Sequence, residues 1–177
     1  NHSRAKQDQI IFCVDGVHGF GVDDVTVADL GCDFLTAGCH KWLFGPRGTG
    51  LVWGHPRAWP LAHATIPTFN NEAYRIWMKE LPPHEVPKAA SMTPGGFHSF
   101  EHRWALDEAF KFHLAIGKDR IAARIHLLNR QLKEGLSAMK HVTLHTPMAD
   151  DLSAGIVCFD VEGVAPEQVI EALRQKK

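Results

Sequence analysis

The segment that most constrains this chain is residues 32–52, CDFLTAGCHKWLFGPRGTGLV. An apolar run at residues 34–37 ends at Gly38 and is followed by His40, Lys41 and the turn-rich sequence GPRGTG. This order predicts a buried strand, a loop and a second strand. A lysine at the mouth of a buried strand suits Schiff-base chemistry, because burial disfavours the ammonium and leaves a nucleophilic amine. The alternative is a solvated lysine at a strand end.

A second apolar run, at residues 10–14, stops at Asp15, and His18 follows three residues later. In open α/β sheets, ligands bind outside the carboxyl ends of the strands. We therefore predict that Asp15 and Lys41 converge on one crevice. The alternatives are that Asp15 is a turn residue before a glycine and that His18 is a hydrogen-bonded structural histidine.

The sequence between these two strands predicts the topology of the sheet. Residues 22–31 predict a short helix with Asp23 and Asp24 in its first turn. A strand, a helix and a strand form a βαβ unit with a right-handed crossover, which favours a doubly wound α/β fold with a mainly parallel sheet. Residues 51–53 predict a further strand.

The second half of the chain predicts a separate α/β unit. Residues 55–94 are rich in proline and predict a surface connector, or a loop that contacts substrate or a second subunit. Hydrophobic spacing predicts helices at residues 97–116, 118–139 and 166–176 and strands at residues 142–145 and 155–161. We predict two domains, residues 1–90 and residues 91–177, the latter beginning near Ser91.

Charge and hydropathy exclude several classes of partner. The 177 residues are 45% hydrophobic and carry a net charge of −1. This predicts one core of ordinary size and no nucleic-acid or membrane-surface partner. From the visible sequence we expect no signal peptide and no membrane span.

The cysteines and histidines predict neither a disulfide framework nor a metal site. The four cysteines have no CxxC spacing, which predicts buried free thiols in a reducing compartment. We expect a cytoplasmic protein, with export left open because the native N-terminus is not visible. The histidines of residues 55–102 lack HxH or HExxH spacing, so no metal is predicted.

Three motifs together carry a family resemblance. They are Asp-x-x-His at Asp15 and His18, the sequence CDFLxxGCHK that ends at Lys41, and the glycine pair Gly48-x-Gly50. This combination resembles the class V aminotransferase group of fold-type I pyridoxal phosphate enzymes. That group includes cysteine desulfurases, selenocysteine lyases, kynureninases and isopenicillin N epimerase-like proteins. The sequence HKWLFGPRGTG looks closest to the epimerase-like branch.

The resemblance implies a fold, a cofactor and four site residues. Residues 1–90 would be the C-terminal part of the cofactor-binding large domain, and residues 91–177 an incomplete small domain of a longer protein. Lys41 would hold pyridoxal 5'-phosphate as an internal aldimine and then move the α proton. Asp15 would pair with the pyridine nitrogen, His18 would lie near the 3-oxygen of the ring, and His40 near the phosphate.

Two positions depart from the family pattern at the phosphate site. Desulfurases carry a serine or threonine close to the histidine-lysine pair, but this chain has Ala37, Gly38 and Cys39 there. The family's glycine-threonine pair, which reaches the phosphate of the neighbouring subunit, has its nearest candidate in Pro94-Gly95-Gly96-Phe97. These departures imply a phosphate site with fewer hydroxyl contacts. Cys39, beside the expected cofactor, is a candidate reactive thiol.

The resemblance implies an amino acid substrate and a homodimer. We expect an epimerase-like or C–S lyase-like enzyme, and the alternatives are an aminotransferase, a cysteine desulfurase, or a non-catalytic or degenerate protein with a structural role in dimerisation. A desulfurase needs a nucleophilic cysteine on a mobile late loop, whereas Cys158 falls in a predicted strand. Arg47 could meet a substrate carboxylate or could be a loop or dimer contact.

Overall fold

The computed structural model describes residues 10–65, 68, 70–81, 89, 92 and 99–176. The strands in this part of the chain are β1 (Cys13–Asp15), β2 (Phe34–Gly38), β3 (Gly50–Gly54), β4 (Val142–Leu144) and β5 (Phe159–Val161). The helices are α1 (Val27–Leu30), α2 (Asn71–Trp77), α3 (Phe100–Ile116), α4 (Lys118–Ser137) and α5 (Pro166–Arg174). Short 3-10 turns lie at Trp59–Leu61 and Asp150–Leu152.

The first sheet has the strand order β1-β2-β3, with β2 in the centre. β1 runs parallel to β2, with Asp15 opposite Thr36, and α1 lies in the connection between them. β3 runs antiparallel to β2, with Gly50 opposite Gly38. The connection from β2 to β3 is too short for the crossover that a parallel pair requires, so this pair is antiparallel. The sheet is therefore mixed, and the α/β fold class predicted from the sequence is confirmed.

The hydrophobic core of this region lies around β2 and the segments at its two ends. Leu35 and Ala37 are buried on β2, whereas Thr36 between them is exposed. This alternation is the period of two that a half-buried strand requires. Cys32 before the strand and Leu43 after it are also buried, each 2% exposed. The core therefore fixes both ends of the strand that leads to Lys41.

An ion pair with a buried carboxylate lies at the other end of the same sheet. Asp33 is 1% exposed, and both of its carboxylate oxygens accept hydrogen bonds of 2.6 Å from the Arg57 guanidinium. The backbone N–H of Phe12 donates to the same carboxylate at 3.0 Å. Asp33 thus joins the start of β2 to the segments before β1 and after β3, and no sequence pattern indicated this anchor.

The helix between β1 and β2 is shorter than the sequence suggested, and its acidic residues lie elsewhere. α1 begins after Thr26, whose hydroxyl accepts from the backbone N–H of Asp29 while the Asp29 carboxylate accepts from the backbone N–H of Thr26. This reciprocal arrangement is a capping box, which satisfies two donors at a helix start. The prediction that Asp23 and Asp24 form the first turn is therefore wrong, because both residues precede the capped start.

The C-terminal part of the chain combines α4, the antiparallel pair of β4 and β5, and α5. Val142 pairs with Val161, and Leu144 pairs with Phe159. Lys133 on α4 is fully buried, and its Nζ donates to the carbonyls of Pro147 and Met148, at 2.9 Å and 3.1 Å. A third donation, at 2.9 Å, goes to the Ser153 hydroxyl. All three ammonium hydrogens therefore have acceptors, and α4 holds the segment that precedes β5.

The chain separates into two compact units. One contains the described residues up to Phe20 together with Val25–Phe112, and the other contains Gly21–Asp24 together with His113–Lys177. The predicted domain boundary near residue 91 stays a prediction. The structure adds α2, which the proline-rich segment did not predict. The predicted strands at residues 10–14 and 155–161 are longer than the observed Cys13–Asp15 and Phe159–Val161.

Among the described helices, none combines the length and the apolar composition that crossing a membrane would need.

All four cysteines are free, as predicted. Cys32 and Cys39 are buried, but Cys13 and Cys158 are exposed. The prediction of buried thiols is therefore wrong for Cys13, the first residue of β1, and for Cys158. Cys158 lies just before β5, so the prediction that it falls in a strand is also wrong.

Candidate active site

The side chains of Lys41 and His18 meet where β1 and β2 end. Lys41 Nζ lies 2.7 Å from His18 Nε2. Either the ammonium donates to a neutral imidazole or an Nε2–H donates to the neutral amine, so this contact is a path for a proton. Within the described residues, no carboxylate pairs with Lys41. The amine is therefore held by a group that can exchange a proton with it.

Asp15 is the last residue of β1 and lies at the same edge of the sheet as the end of β2. Its Oδ1 accepts a hydrogen bond of 3.0 Å from the backbone N–H of Val17. This is the local turn contact that the alternative interpretation of Asp15 predicts. Oδ2 has no partner among the described residues, so the carboxylate keeps one oxygen for a ligand. No hydrogen bond joins Asp15 to Lys41 or His18 in that part of the chain.

The loop between β2 and β3 is held in place by its own backbone. The N–H of Gly45 donates to the Cys39 carbonyl at 2.8 Å, and the N–H of Cys39 donates to the Thr49 carbonyl at 3.0 Å. A Cβ at Gly45 would lie 2.7 Å from the Cys39 oxygen, so this approach requires glycine. The loop that carries Lys41 is therefore closed by a fixed hydrogen-bond pattern.

Helix α3 supports the same loop from the side. The His102 ring lies with Nδ1 3.0 Å from the Arg47 carbonyl, and since a carbonyl can only accept, the ring nitrogen donates. The ring of Phe44 contacts that of Phe112, edge to face, with centroids 6.5 Å apart. Arg47 itself is exposed, and its backbone has the role of a loop contact. His102 was not assigned a role from the sequence.

His40 lies beside Lys41 in the chain but does not join the contact with His18. Its ring packs over Gly38, where an added Cβ would lie 3.1 Å from His40 Cε1. The ring is exposed, and no hydrogen bond joins it to the other three candidate residues within the described part of the chain. The second phosphate candidate, Pro94-Gly95-Gly96-Phe97, lies outside the described residues. The indole Nε1 of Trp42 is buried and has no acceptor among the described residues.

The thiol beside Lys41 is not placed for reactivity. Cys39 is fully buried, and burial raises the pKa of its thiol above the ordinary value. Burial likewise raises the pKa of Cys32. The thiolate is the reactive form, so both residues are inert where they lie. The expectation that Cys39 is a reactive thiol is therefore wrong. No group of three or more metal-ligating side chains occurs among the described residues.

The sequence matches the aminotransferase class-V family over residues 2–177, nearly its whole length. The chain belongs to the aminotransferase class-V family.

Individual relatives of this class-V family member have different activities in their names. The chain is 28% identical over 166 residues to isopenicillin N epimerase of Streptomyces clavuligerus, covering 88% of this chain and 40% of that one. The apo structure of the cysteine desulfurase from Thermococcus onnurineus NA1 aligns with a TM-score of 0.81 and 24% identity over 99% of this chain and 42% of that chain.

A further structural relative is C-DES, described as a cystine C–S lyase. A C-DES variant with glycine covalently linked to its PLP cofactor aligns with a TM-score of 0.72 and 17% identity, covering 90% of this chain and 40% of that chain. At these identities the structural likeness establishes the fold, which is that of fold-type I enzymes. The class-V chain spans about 40% of the length of the relatives it matches.

Proposed function

We propose that this class-V chain is part of a pyridoxal phosphate-dependent enzyme that acts on an amino acid, in an epimerase-like or C–S lyase-like reaction. The observation that carries the proposal is the 2.7 Å contact between Lys41 and His18 where β1 and β2 end, with Asp15 at the same edge. We further propose that residues 1–90 belong to the cofactor-binding domain and residues 91–177 to the small domain.

The residues present fit this cofactor in their donor chemistry. Lys41 supplies an amine without a carboxylate partner among the described residues, and Asp15 has an oxygen left for a cationic ring nitrogen. Trp42 leaves a buried donor unpaired in the same loop. Pyridoxal phosphate, when bound, withdraws electrons from the α carbon of an attached amino acid. The donor set therefore matches a cofactor with an aldehyde, a ring nitrogen and acceptor oxygens.

Each candidate residue then has a distinct role. Lys41 Nζ would attach the cofactor and move the α proton of the substrate. His18, in contact with Lys41, would exchange that proton and would hold the 3-oxygen side of the ring. Asp15 would pair with the ring nitrogen, and His40 would hold the phosphate. A proton returned to the opposite face of the α carbon gives epimerisation, whereas loss of a sulfur leaving group gives lyase chemistry.

One observation favours the second candidate function, a degenerate protein with a structural role. Ala37, Gly38 and Cys39 stand where the resemblance to cysteine desulfurases implies a hydroxyl for the phosphate. Ala37 and Cys39 are buried, and neither carries a hydroxyl. If the phosphate site has lost too many contacts, the fold would persist without turnover. Cofactor binding by the purified protein separates the two candidates.

The test of the proposed function is exchange of the α hydrogen of amino acids in D2O, followed by proton NMR. This exchange is common to epimerisation and to lyase chemistry, because both begin with removal of the α proton. We expect exchange with at least one amino acid when pyridoxal phosphate is present. Inverted configuration would then indicate an epimerase, and released sulfide a C–S lyase. A folded protein that binds the cofactor but exchanges no amino acid would contradict the proposal.

Replacement of Asp15 tests the role of the carboxylate. We expect Asp15→Ala to slow α-hydrogen exchange about a hundredfold, because a neutral ring nitrogen is a weaker electron acceptor. The matched control is Asp107→Ala, which removes an exposed carboxylate on α3. Steady-state exchange rates at saturating cofactor measure the effect. Near-normal exchange in Asp15→Ala would reject the pairing and leave Asp15 as a turn residue.

We propose a homodimer, supported by an exposed aromatic set within the first unit. Phe44, Phe100, Trp104 and Phe112 are between 51% and 71% exposed. Phe44 also has a φ of 61°, an unfavourable conformation for a phenylalanine that lies in solvent. Light scattering should give twice the mass of the complete chain, and Trp104→Glu should yield monomer, whereas Leu173→Glu on α5 should not. A monomeric wild-type protein would contradict this proposal.

A further inference from the structure

We infer that Asp23 and its partner His126, together with His113, are positioning residues that hold the loop carrying His18. The four-residue strap Gly21–Asp24 follows that loop directly and belongs to the compact unit of α4. The relevance of this inference to catalysis rests on the proposed function of Lys41 and His18. The positioning itself rests on the contacts of the strap.

Phe20, Gly21 and Asp23 each contact a residue of α3 or α4. The ring of Phe20 contacts that of Phe110 on α3, with centroids 6.2 Å apart. His113 is 6% exposed, and its Nε2 donates to the Gly21 carbonyl at 3.0 Å. His126 Nε2 on α4 lies 2.8 Å from Asp23 Oδ1. The strap is therefore held by a backbone contact and a side-chain contact from two different helices.

The Lys118–Asp24 pair and the His126–Asp23 pair differ in burial, and the more buried pair contributes more to holding the strap. Lys118 also reaches Asp24, at 3.0 Å, but both side chains are at least 36% exposed, so this pair contributes little. His126 and Asp23 are more buried, and Nδ1 of the same ring is buried without a partner among the described residues. Asp23 is thus the polar group that orients this ring. Val22 between the contacts is 1% exposed, which adds apolar burial to the strap.

The loop that carries His18 is consequently fixed at both ends. At its start, the N–H of Gly16 donates to the Thr36 carbonyl of β2 at 2.7 Å. At its end, the N–H of Phe20 donates back to the Gly16 carbonyl at 2.8 Å, and Gly21 enters the strap with a φ of 85°. Only two residues separate His18 from Gly21. Loss of the strap contacts should therefore make the backbone of the His18 loop more mobile, and this backbone orients the His18 ring toward Lys41.

Asp23 and His126 touch neither His18 nor Lys41, so their effect on the reaction is indirect. If they act by positioning, their loss should lower cofactor affinity and the maximal rate together while the protein stays folded. A merely structural pair would change the free energy of unfolding and leave the exposure of the His18 loop in the folded protein unchanged. Native-state exchange of the loop amides separates these two roles.

The test compares two pairs of variants of the complete protein without cofactor. Asp23→Ala and His126→Leu remove the contact, whereas Asp23→Asn keeps an acceptor oxygen and His126→Gln keeps an N–H donor. Hydrogen–deuterium exchange with mass spectrometry reports on the peptide of residues 16–24, with the β4 peptide of residues 142–144 as an internal control. We expect exchange about tenfold faster in the first pair, and rates close to wild type in the second pair and in the control peptide.

A second readout links the strap to the active site. Reduction by borohydride with added pyridoxal phosphate should require about tenfold more cofactor in Asp23→Ala than in the wild type. Wild-type rates of loop exchange in both Asp23→Ala and His126→Leu would overturn the inference. If the wild-type protein traps no cofactor at all, the proposed function fails, but the exchange comparison still decides whether the strap holds the loop.

Discussion

Replacement of Lys41 by alanine is expected to slow α-hydrogen exchange of the substrate by at least about a thousandfold. The physical reason is that, in the proposed function, Lys41 would both attach the cofactor and move the α proton. Lys41→Arg should fail equally, because a guanidinium stays protonated and cannot act as a nucleophile. The matched control is Lys111→Ala, which removes an exposed ammonium that pairs with Asp107 and Glu108 on α3.

Exchange rates at saturating pyridoxal phosphate measure this effect, and circular dichroism confirms that the variant is folded. The Lys111→Ala protein should exchange at the wild-type rate. Retention of a tenth or more of wild-type exchange in Lys41→Ala would contradict the role of Lys41. Addition of methylamine should partly restore exchange, since a free amine can move the proton without being tethered to the chain.

The largest expected effect on stability comes from Arg57. Its guanidinium donates two hydrogen bonds of 2.6 Å to Asp33, which is 1% exposed. Removal of one partner from a buried pair strands the other charge, and we expect Arg57→Ala to lower the free energy of unfolding by about 3 kcal/mol. The estimate is at the lower end of the usual range because Arg57 is 30% exposed. Urea unfolding followed by tryptophan fluorescence measures it.

The control for Arg57 is Arg75, whose pair with Glu80 is long and exposed. The nitrogen and oxygen are 3.4 Å apart, and the two side chains are 46% and 56% exposed. Exposed pairs contribute little, so Arg75→Ala should leave the free energy of unfolding nearly unchanged. Equal effects of the two substitutions would show that the Asp33–Arg57 pair does not anchor the sheet.

The same pair has a defined pH dependence. Burial raises the pKa of Asp33, but the hydrogen bond from the Phe12 N–H and the Arg57 guanidinium outweigh burial, and the pKa lies below the ordinary value of 3.8. A carboxylate with a lowered pKa in the folded state stabilises the protein at pH values above its unfolded pKa. This stabilisation is lost as the pH falls through the folded pKa. The wild-type advantage over Arg57→Ala should therefore be constant near neutral pH and shrink in strong acid.

The elements that the sequence predicted well are those with a strong hydrophobic period. The spacing of apolar residues predicted the ends of α3 and α4 to within three residues. The structure has these helices at Phe100–Ile116 and Lys118–Ser137. The strands were predicted at the right places, but β1 and β5 are shorter than predicted, whereas β3 extends one residue beyond the predicted residues 51–53 at each end. The register of β1 with β2 runs from Cys13 to Asp15, and before it only the Phe12 carbonyl, among the described residues 10–12, accepts backbone hydrogen bonds from Asp33 and Phe34 at the start of β2. Hydrophobicity indicates burial, whereas the neighbouring strand sets where pairing begins and ends.

The candidate site was predicted in composition but not in its contacts. The apolar runs indicated that Asp15 and Lys41 follow strands, and the resemblance added His18. His18 lies in the loop that begins with the turn at Gly16 and Phe20, and the backbone hydrogen bonds of that turn have no sequence pattern. The convergence of Asp15 with Lys41 and the role of His40 stay predictions.

The polar anchors were missed because their partners are far apart in sequence. Asp33 and Arg57 are 24 residues apart, and Asp23 and His126 are 103 residues apart. Lys133 bonds to backbone carbonyls and a hydroxyl, which occur in every part of a chain. Residues of these types are mostly exposed, so their presence in a sequence predicts surface and not burial. A spacing rule exists for local pairs on a helix but not for contacts between distant segments.

The most direct test of the proposed function is to identify the lysine that binds the cofactor. The complete protein would be incubated with pyridoxal phosphate, reduced with borohydride, digested and mapped by mass spectrometry. We predict a pyridoxyl group on the peptide that contains Lys41, together with loss of the yellow absorbance on reduction. A folded protein with no modified lysine, or with the group on any lysine other than Lys41, would contradict the proposal that this chain supplies the catalytic amine.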